Sequence, residues 1–198
     1  MADQDPAQSD PRQVSHAPAS IAIRDLQPDD QPWVHDFLLT YNHSLRVVSR
    51  GTLHYLPQLP GLIATYNEIP SALLTYHVAD LEFEVVTLHA AVQRQGLGAR
   101  LLAVGRDRAR ALGCQRLWLI TTNDNEPAIR FYERQGMTLV AIHHNALDES
   151  RKLKPEIPHT GLGGKPLRDE IEFEFRYDQW QRRRTAIKPA ASTGKKLP

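Results

Sequence analysis

Apolar and polar positions follow regular periods over most of this chain, and those periods assign its elements. Residues 21–26, IAIRDL, alternate as a strand does, and QPDDQPWVHDFLLTY then offers Asp29 or Asp30 as an N-cap and Pro32 for the first turn of a helix reaching about Tyr41. Gly51, Pro57 and Pro60 interrupt any period across 46–60, which predicts a loop with at most a helical turn. The stretch GLIATYNEIPSALLTYHVADLEFEVVTLHA predicts three antiparallel strands, 62–66, 71–78 and 81–90, with turns at 67–70 and 79–80.

The period changes to that of a helix over 98–112, with Leu101, Leu102, Ala109 and Leu112 on the apolar side and Gly113 as the stop. RLWLITT is a continuous apolar run of the kind buried on both faces of a sheet, so strand, helix and strand in this order imply a right-handed parallel crossover. A helix over 127–135, a strand over 138–143, a charged helix over 145–154 and a Pro/Gly loop over 157–168 follow. DEIEFEF then alternates as a last strand with Ile171, Phe173 and Phe175 toward the core. The fold class is α/β, with a mixed, mostly antiparallel sheet flanked by helices. Residues 1–20 lack periodicity and predict a disordered leader, 21–178 form one domain, and 179–198 form a basic, disordered tail.

Composition narrows the picture little: 198 residues suit one well-filled domain, and 41% hydrophobic residues with a net charge of +1 favour no class of partner. No apolar run nears the roughly 20 residues of a membrane span, and the acidic, polar start is unlike a secretory signal, so a cytoplasmic protein is expected. The single cysteine, Cys114, precludes an internal disulfide and predicts a buried structural thiol. No cluster with metal-ligand spacing is present in the sequence, and no metal is expected.

Two segments carry chemistry. In VVTLHAAVQRQGLGARLL a strand enters a glycine-bearing turn and then a helix, whose free N–H groups can hold a pyrophosphate; Gly96 and Gly98 let that backbone approach closely. In NDNEPAIRFYERQGM a polar loop opens a helix bearing Tyr132, a phenol of pKa near 10 suited to re-protonate a departing thiolate of pKa roughly 8.5.

Gln93, Arg94, Gln95, Gly96, Leu97 and Gly98, together with Asn125, Ala128, Phe131, Tyr132 and Gly136, resemble the two signatures of the GNAT superfamily of acyl-CoA-dependent N-acyltransferases. The resemblance covers about 21–175. It implies a sheet that splays beside the glycine turn, acetyl-CoA as cosubstrate, and direct attack of an amine on the thioester in a ternary complex. It implies that Leu88, His89, Ala90, Arg94, Gln95, Gly96, Leu97, Gly98 and Ala99 follow the cofactor, with an N–H near Leu88 for the oxyanion. Asn125 would bond the pantetheine arm, and Ala128, Phe131, Tyr132 and Arg134 would complete the site.

An amine of pKa near 10 must lose a proton before it attacks. Alternation places Glu82 and Glu84 on one face with Val86 and Leu88, and Glu84, nearer the cofactor end, is the favoured base; it and Tyr132 are the expected catalytic pair. The same alternation turns His89 to the other face. His143, His144 and Asn145 are secondary candidates for substrate contact. The acceptor, a small-molecule or protein amine, would lie against 41–60 and 151–165, which carry no motif that specifies it. An acyl-CoA-binding sensor with little turnover is the alternative reading. The arginines and lysines of the tail could touch nucleic acid, but they lack interleaved aromatics, and a solvated end is favoured.

Overall fold

A computed structural model describes residues 19–177; the tail, and all but the last two residues of the expected leader, lie outside the described residues. Seven strands form one sheet: β1 (Ile21–Asp25), β4 (Gly61–Tyr66), β5 (Ile69–Ala79), β6 (Glu82–Ala90), β7 (Arg116–Thr122), β9 (Glu170–Arg176) and β8 (Thr138–His143), named in their spatial order. Among the described residues only β6 and β7 pair in parallel, as a crossover through the helix α2 (Leu97–Ala111) requires. α3 (Glu126–Arg134) and α4 (Ala146–Leu153) join the later strands, and α1 (Gln31–Tyr41) follows β1. No helix among the described residues is long and apolar enough to cross a membrane.

Two cores cover the two faces of the sheet. Leu97, Leu101, Leu102 and Ala109 of α2 pack with Leu74, Phe83, Val85, Leu117 and Phe173, and Tyr132 of α3 joins them. Val34, Phe37 and Leu38 of α1 pack with Leu56, Ile63 and Leu73 on the other face. Cys114 is buried, and burial pushes its thiol pKa up. Leu112, expected on the apolar side of α2, is 51% exposed because it sits past the last full turn.

Two further departures from the expected pattern lie beside the strand gap. The segment predicted as a loop holds a two-stranded hairpin, β2 (Arg46–Ser49) and β3 (Thr52–Tyr55), whose tight turn uses Arg50 and Gly51 at positive φ. In β6 the simple alternation fails. Thr75 pairs with Thr87, yet Tyr76 pairs with Val85, so Val86 is an extra residue. Phe83, Val85 and Leu88 consequently meet the α2 core, while Val86 meets the α1 core. Leu88 is therefore on the face opposite Glu84, and His89 returns to the face that Glu84 occupies, the reverse of what alternation predicted.

The last strand is buried on both sides. Ile171 and Phe173 enter the core as expected, with Phe175 partly buried against it, but Glu170, Glu172 and Glu174 are buried as well. Arg116 accounts for two of them: its guanidinium donates to Glu172 at 2.7 Å, Glu174 at 3.1 Å and Glu82 at 2.7 Å, so β6, β7 and β9 share one cation. His143 and Arg116 hold the Glu172 carboxyl below its ordinary value against the opposing effect of burial. Removing Arg116 as in Arg116→Met strands these carboxylates and is expected to cost about 3–5 kcal/mol at neutral pH. Urea denaturation reads this loss. The deficit should hold at and above the ordinary carboxylate pKa of about 4.3 and shrink only below it, where the lowered Glu172 carboxyl protonates and the wild type loses the same stabilisation.

Candidate active site

The site begins where β6 and β7 part. Their ladder runs from Glu82 opposite Arg116 to Val85 opposite Leu119 and stops, although β6 continues to Ala90 and β7 to Thr122. Past Val85 the edges that face each other carry N–H and C=O groups with no ladder partner across the gap.

The chain then turns through Arg94 and Gly96, both at positive φ, with Gln93 donating to the Ala90 carbonyl at 2.7 Å. Gly96 caps α2 in the left-handed region, which glycine adopts without steric cost. The first helical bond runs from the Arg100 N–H to the Gly96 carbonyl, leaving the N–H groups of Leu97, Gly98 and Ala99 without carbonyl partners in the helix. Gly98 faces Phe131: a Cβ there would lie 3.5 Å from the ring, so any longer side chain would displace it.

Across the gap, the Asn125 side-chain oxygen accepts from the Ala128 N–H at 3.3 Å and caps α3, with Pro127 in the first turn. The Asn125 oxygen thus serves the helix, and its amide nitrogen is the group left to bond a pantetheine arm. Tyr132 is buried, packed at 5.2 Å from the Phe131 ring and 5.8 Å from that of Phe173. Burial pushes its phenol up to about 12, so it is a neutral donor throughout the physiological range.

Two cavities meet here. One of about 540 Å³ runs along the glycine turn and α3; of the residues expected at the cofactor, all but Gln95 and Asn125 line it, and Tyr41 and Gln135 add walls that no motif signalled. The second, about 280 Å³, occupies the gap between the strands and is lined by Asn42, Val47, Val48 and Ser49, by Thr121 and Asn125, and by Glu170 at its far wall. Leu88, His89, Ala128 and Tyr132 border both cavities. Of the two stretches expected to form the second pocket, 41–60 contributes and 151–165 does not.

His89 is held by a 3.3 Å hydrogen bond between its Nε2 and the Asn42 side-chain oxygen. The Asn42 amide nitrogen donates to the Ser44 carbonyl, which fixes the oxygen toward His89. Nε2 must therefore carry the proton, and Nδ1 keeps its lone pair. Burial first, and then the nearby His43, lower the pKa of His89 from its ordinary value of 6.5.

Glu84 lies elsewhere. It lines a third cavity with His54, His77 and Trp118, and its Oε2 stands 3.4 Å from His54 Nε2. Its Oε1 is buried without a hydrogen-bond partner among the described residues, a state that costs about 1–3 kcal/mol. Glu82 is bound to Arg116. His143 is bound to Glu172, His144 lies 3.6 Å from Asp169, and the Asn145 N–H donates to Asp169, so these three candidates are engaged away from the gap. Glu170, which alternation would have put on the solvent side, accepts from Ser150 and from the Arg50 N–H.

Residues 21–137 match the family model described as the acetyltransferase (GNAT) family. The uncharacterized Bacillus subtilis protein YdhI is 40% identical over 100 residues, 50% of this chain and 62% of that protein. The uncharacterized YxbD of the same organism is 34% identical over 111 residues, 56% of this chain and 69% of that protein. Among solved structures, a GNAT family acetyltransferase from Elizabethkingia anophelis with acetyl-CoA bound superposes with a TM-score of 0.63 at 21% identity, covering 79% of this chain and 97% of that one.

The His89 ring is expected to remain neutral as pH falls below 6.5, with its proton on Nε2. A pH titration followed by long-range ¹H–¹⁵N NMR reads both properties. A midpoint at or above 6.5, or a proton on Nδ1, would contradict this geometry.

Proposed function

Because the chain belongs to the GNAT acetyltransferase family, we propose that it transfers an acetyl group from acetyl-CoA to a primary amine by direct attack in a ternary complex. The observation that carries the reading is that Leu88, His89, Ala128 and Tyr132 border both the cavity beside the glycine turn and the cavity in the strand gap. A thioester at that junction would face an acceptor on one side and its own nucleotide on the other.

The N–H groups of Leu97, Gly98 and Ala99 suit a pyrophosphate, and Arg94 and Arg134 add positive charge to the same wall. The unpaired edge of β6 past Val85 suits the amides of an extended pantetheine arm, which could pair as an added strand does. The amine enters from the strand gap. His89 Nδ1 takes its proton, the nitrogen attacks the thioester carbon, and a β6 N–H near Leu88 holds the oxyanion. As the C–S bond breaks, the Tyr132 hydroxyl gives its proton to the sulfur. This assignment moves the base from Glu84 to His89, which is on the cavity wall and is kept unprotonated by burial.

Acetyl-CoA is expected to raise the melting temperature, since a ligand selective for the folded state stabilises it. Gly96→Glu should remove that shift because the new carboxylate meets the phosphates; nothing lies within 4 Å of the added Cβ, so the cost to the fold is the roughly 1–2 kcal/mol of a side chain in the left-handed region. A wild-type shift in this variant would mean that the phosphate site lies elsewhere.

With an acceptor found by screening amines for release of free CoA, Tyr132→Phe should lower turnover by on the order of 10² to 10⁴. His89→Gln should lose a similar factor at neutral pH and recover toward alkaline pH, where the free amine is abundant. A loss that is uniform with pH would remove His89 as the base. The wild type should keep its rate below the ordinary imidazole range, since the His89 pKa is lowered, and Tyr132, at about 12, should set no alkaline limit below pH 10.

A further inference from the structure

We propose that His54, His77 and Glu84 form a binding site for a divalent transition cation of the Zn²⁺ type. The three come from three strands, β3, β5 and β6, so their sequence spacing gives no sign of the cluster. One ligand atom from each lies within 4.8 Å of the others. Ligands at the usual Zn–N and Zn–O lengths sit about 3.3–3.6 Å apart around a tetrahedral ion, so side-chain movements of about an ångström complete the set.

Burial is the second, independent observation. His54 and Glu84 are each 5% exposed, and His54 Nε2 and Glu84 Oε1 have no hydrogen-bond partner among the described residues. The contact between His54 Nε2 and the other carboxylate oxygen, at 3.4 Å, does not satisfy hydrogen-bond geometry. A cation accepts the imidazole lone pair and the carboxylate together, which an ion pair between the two leaves undone. Two imidazoles and one carboxylate suit Zn²⁺ and its neighbours better than Ca²⁺ or Mg²⁺, which take oxygen ligands.

The surroundings permit a positive ion. The cavity of about 420 Å³ also carries Asp80 and Glu82, whereas its two guanidinium groups are already matched, Arg116 by three carboxylates and Arg50 by Glu172 at 3.7 Å. Three protein ligands leave a position for water on the cavity side. The ion would tie the β2–β3 hairpin, through His54, to the central sheet. This site is separate from the acyl-transfer reading and does not depend on it.

The test is calorimetric titration of the metal-free full chain with Zn²⁺, with thermal melts alongside. One equivalent should bind with micromolar or tighter affinity and raise the melting temperature, and Co²⁺ should give visible absorption bands. His77 is the most open of the three, so His77→Ala should fold normally and bind on the order of 100-fold more weakly or worse, beyond the usual effect of removing a supporting residue. Glu84→Gln, which keeps the side-chain shape, should weaken binding as well. The chain has nine histidines, so binding that persists unchanged in both variants would lie elsewhere and overturn the assignment. Failure of the wild type to bind would also overturn it.

Discussion

The candidate site depends on the early end of the β6–β7 ladder. Two parallel strands that stay in register would close the sheet and leave no interior space at this point. Here they hold together for four residue pairs and then separate, while each continues as a strand through its other neighbour. Arg116 anchors the closed end by binding carboxylates on β6 and β9 from its place on β7. The glycine turn, the start of α2 and the cap of α3 all gather at the open end.

Desolvation then sets the chemistry of the two groups at that end in opposite directions with the same result. It raises the Tyr132 phenol and lowers the His89 imidazole, so each is driven toward its neutral form. A neutral donor and a neutral acceptor can share a dry pocket without the cost of a buried charge. Glu84 has the wrong surroundings for that partnership: it faces His54 and His77 on the other side of the hairpin wall.

Much of this was legible in the sequence, and what was not has physical reasons. The central strands, α2 and α3 followed from period and from caps, because those signals are local. The glycine turn and Tyr132 were legible because backbone demands and a phenol's acidity belong to individual residues. The hairpin was hidden because its strands have four residues each, too few for alternation to stand out beside Gly51 and Pro57. The bulge was hidden because an extra residue leaves an apolar run such as Val85 and Val86 looking continuous. Glu170, Glu172 and Glu174 read as solvent-facing because the groups that bury and satisfy them, Arg116, His143 and Ser150, are distant in sequence.

The hairpin also bears on local opening. A lone two-stranded ribbon is marginal in water, and this one is joined to the rest of the chain by Leu45 and Val47 on the α1 core and by polar ties such as Arg46 to Glu156 and Lys154 to the Arg46 carbonyl. Such exposed ties weaken with ionic strength more than the buried ladder of the seven-stranded sheet does. Its amides should therefore exchange through openings of lower free energy than those of the central strands. Val47, Val48 and Ser49 belong to the hairpin, so its opening would widen the second cavity.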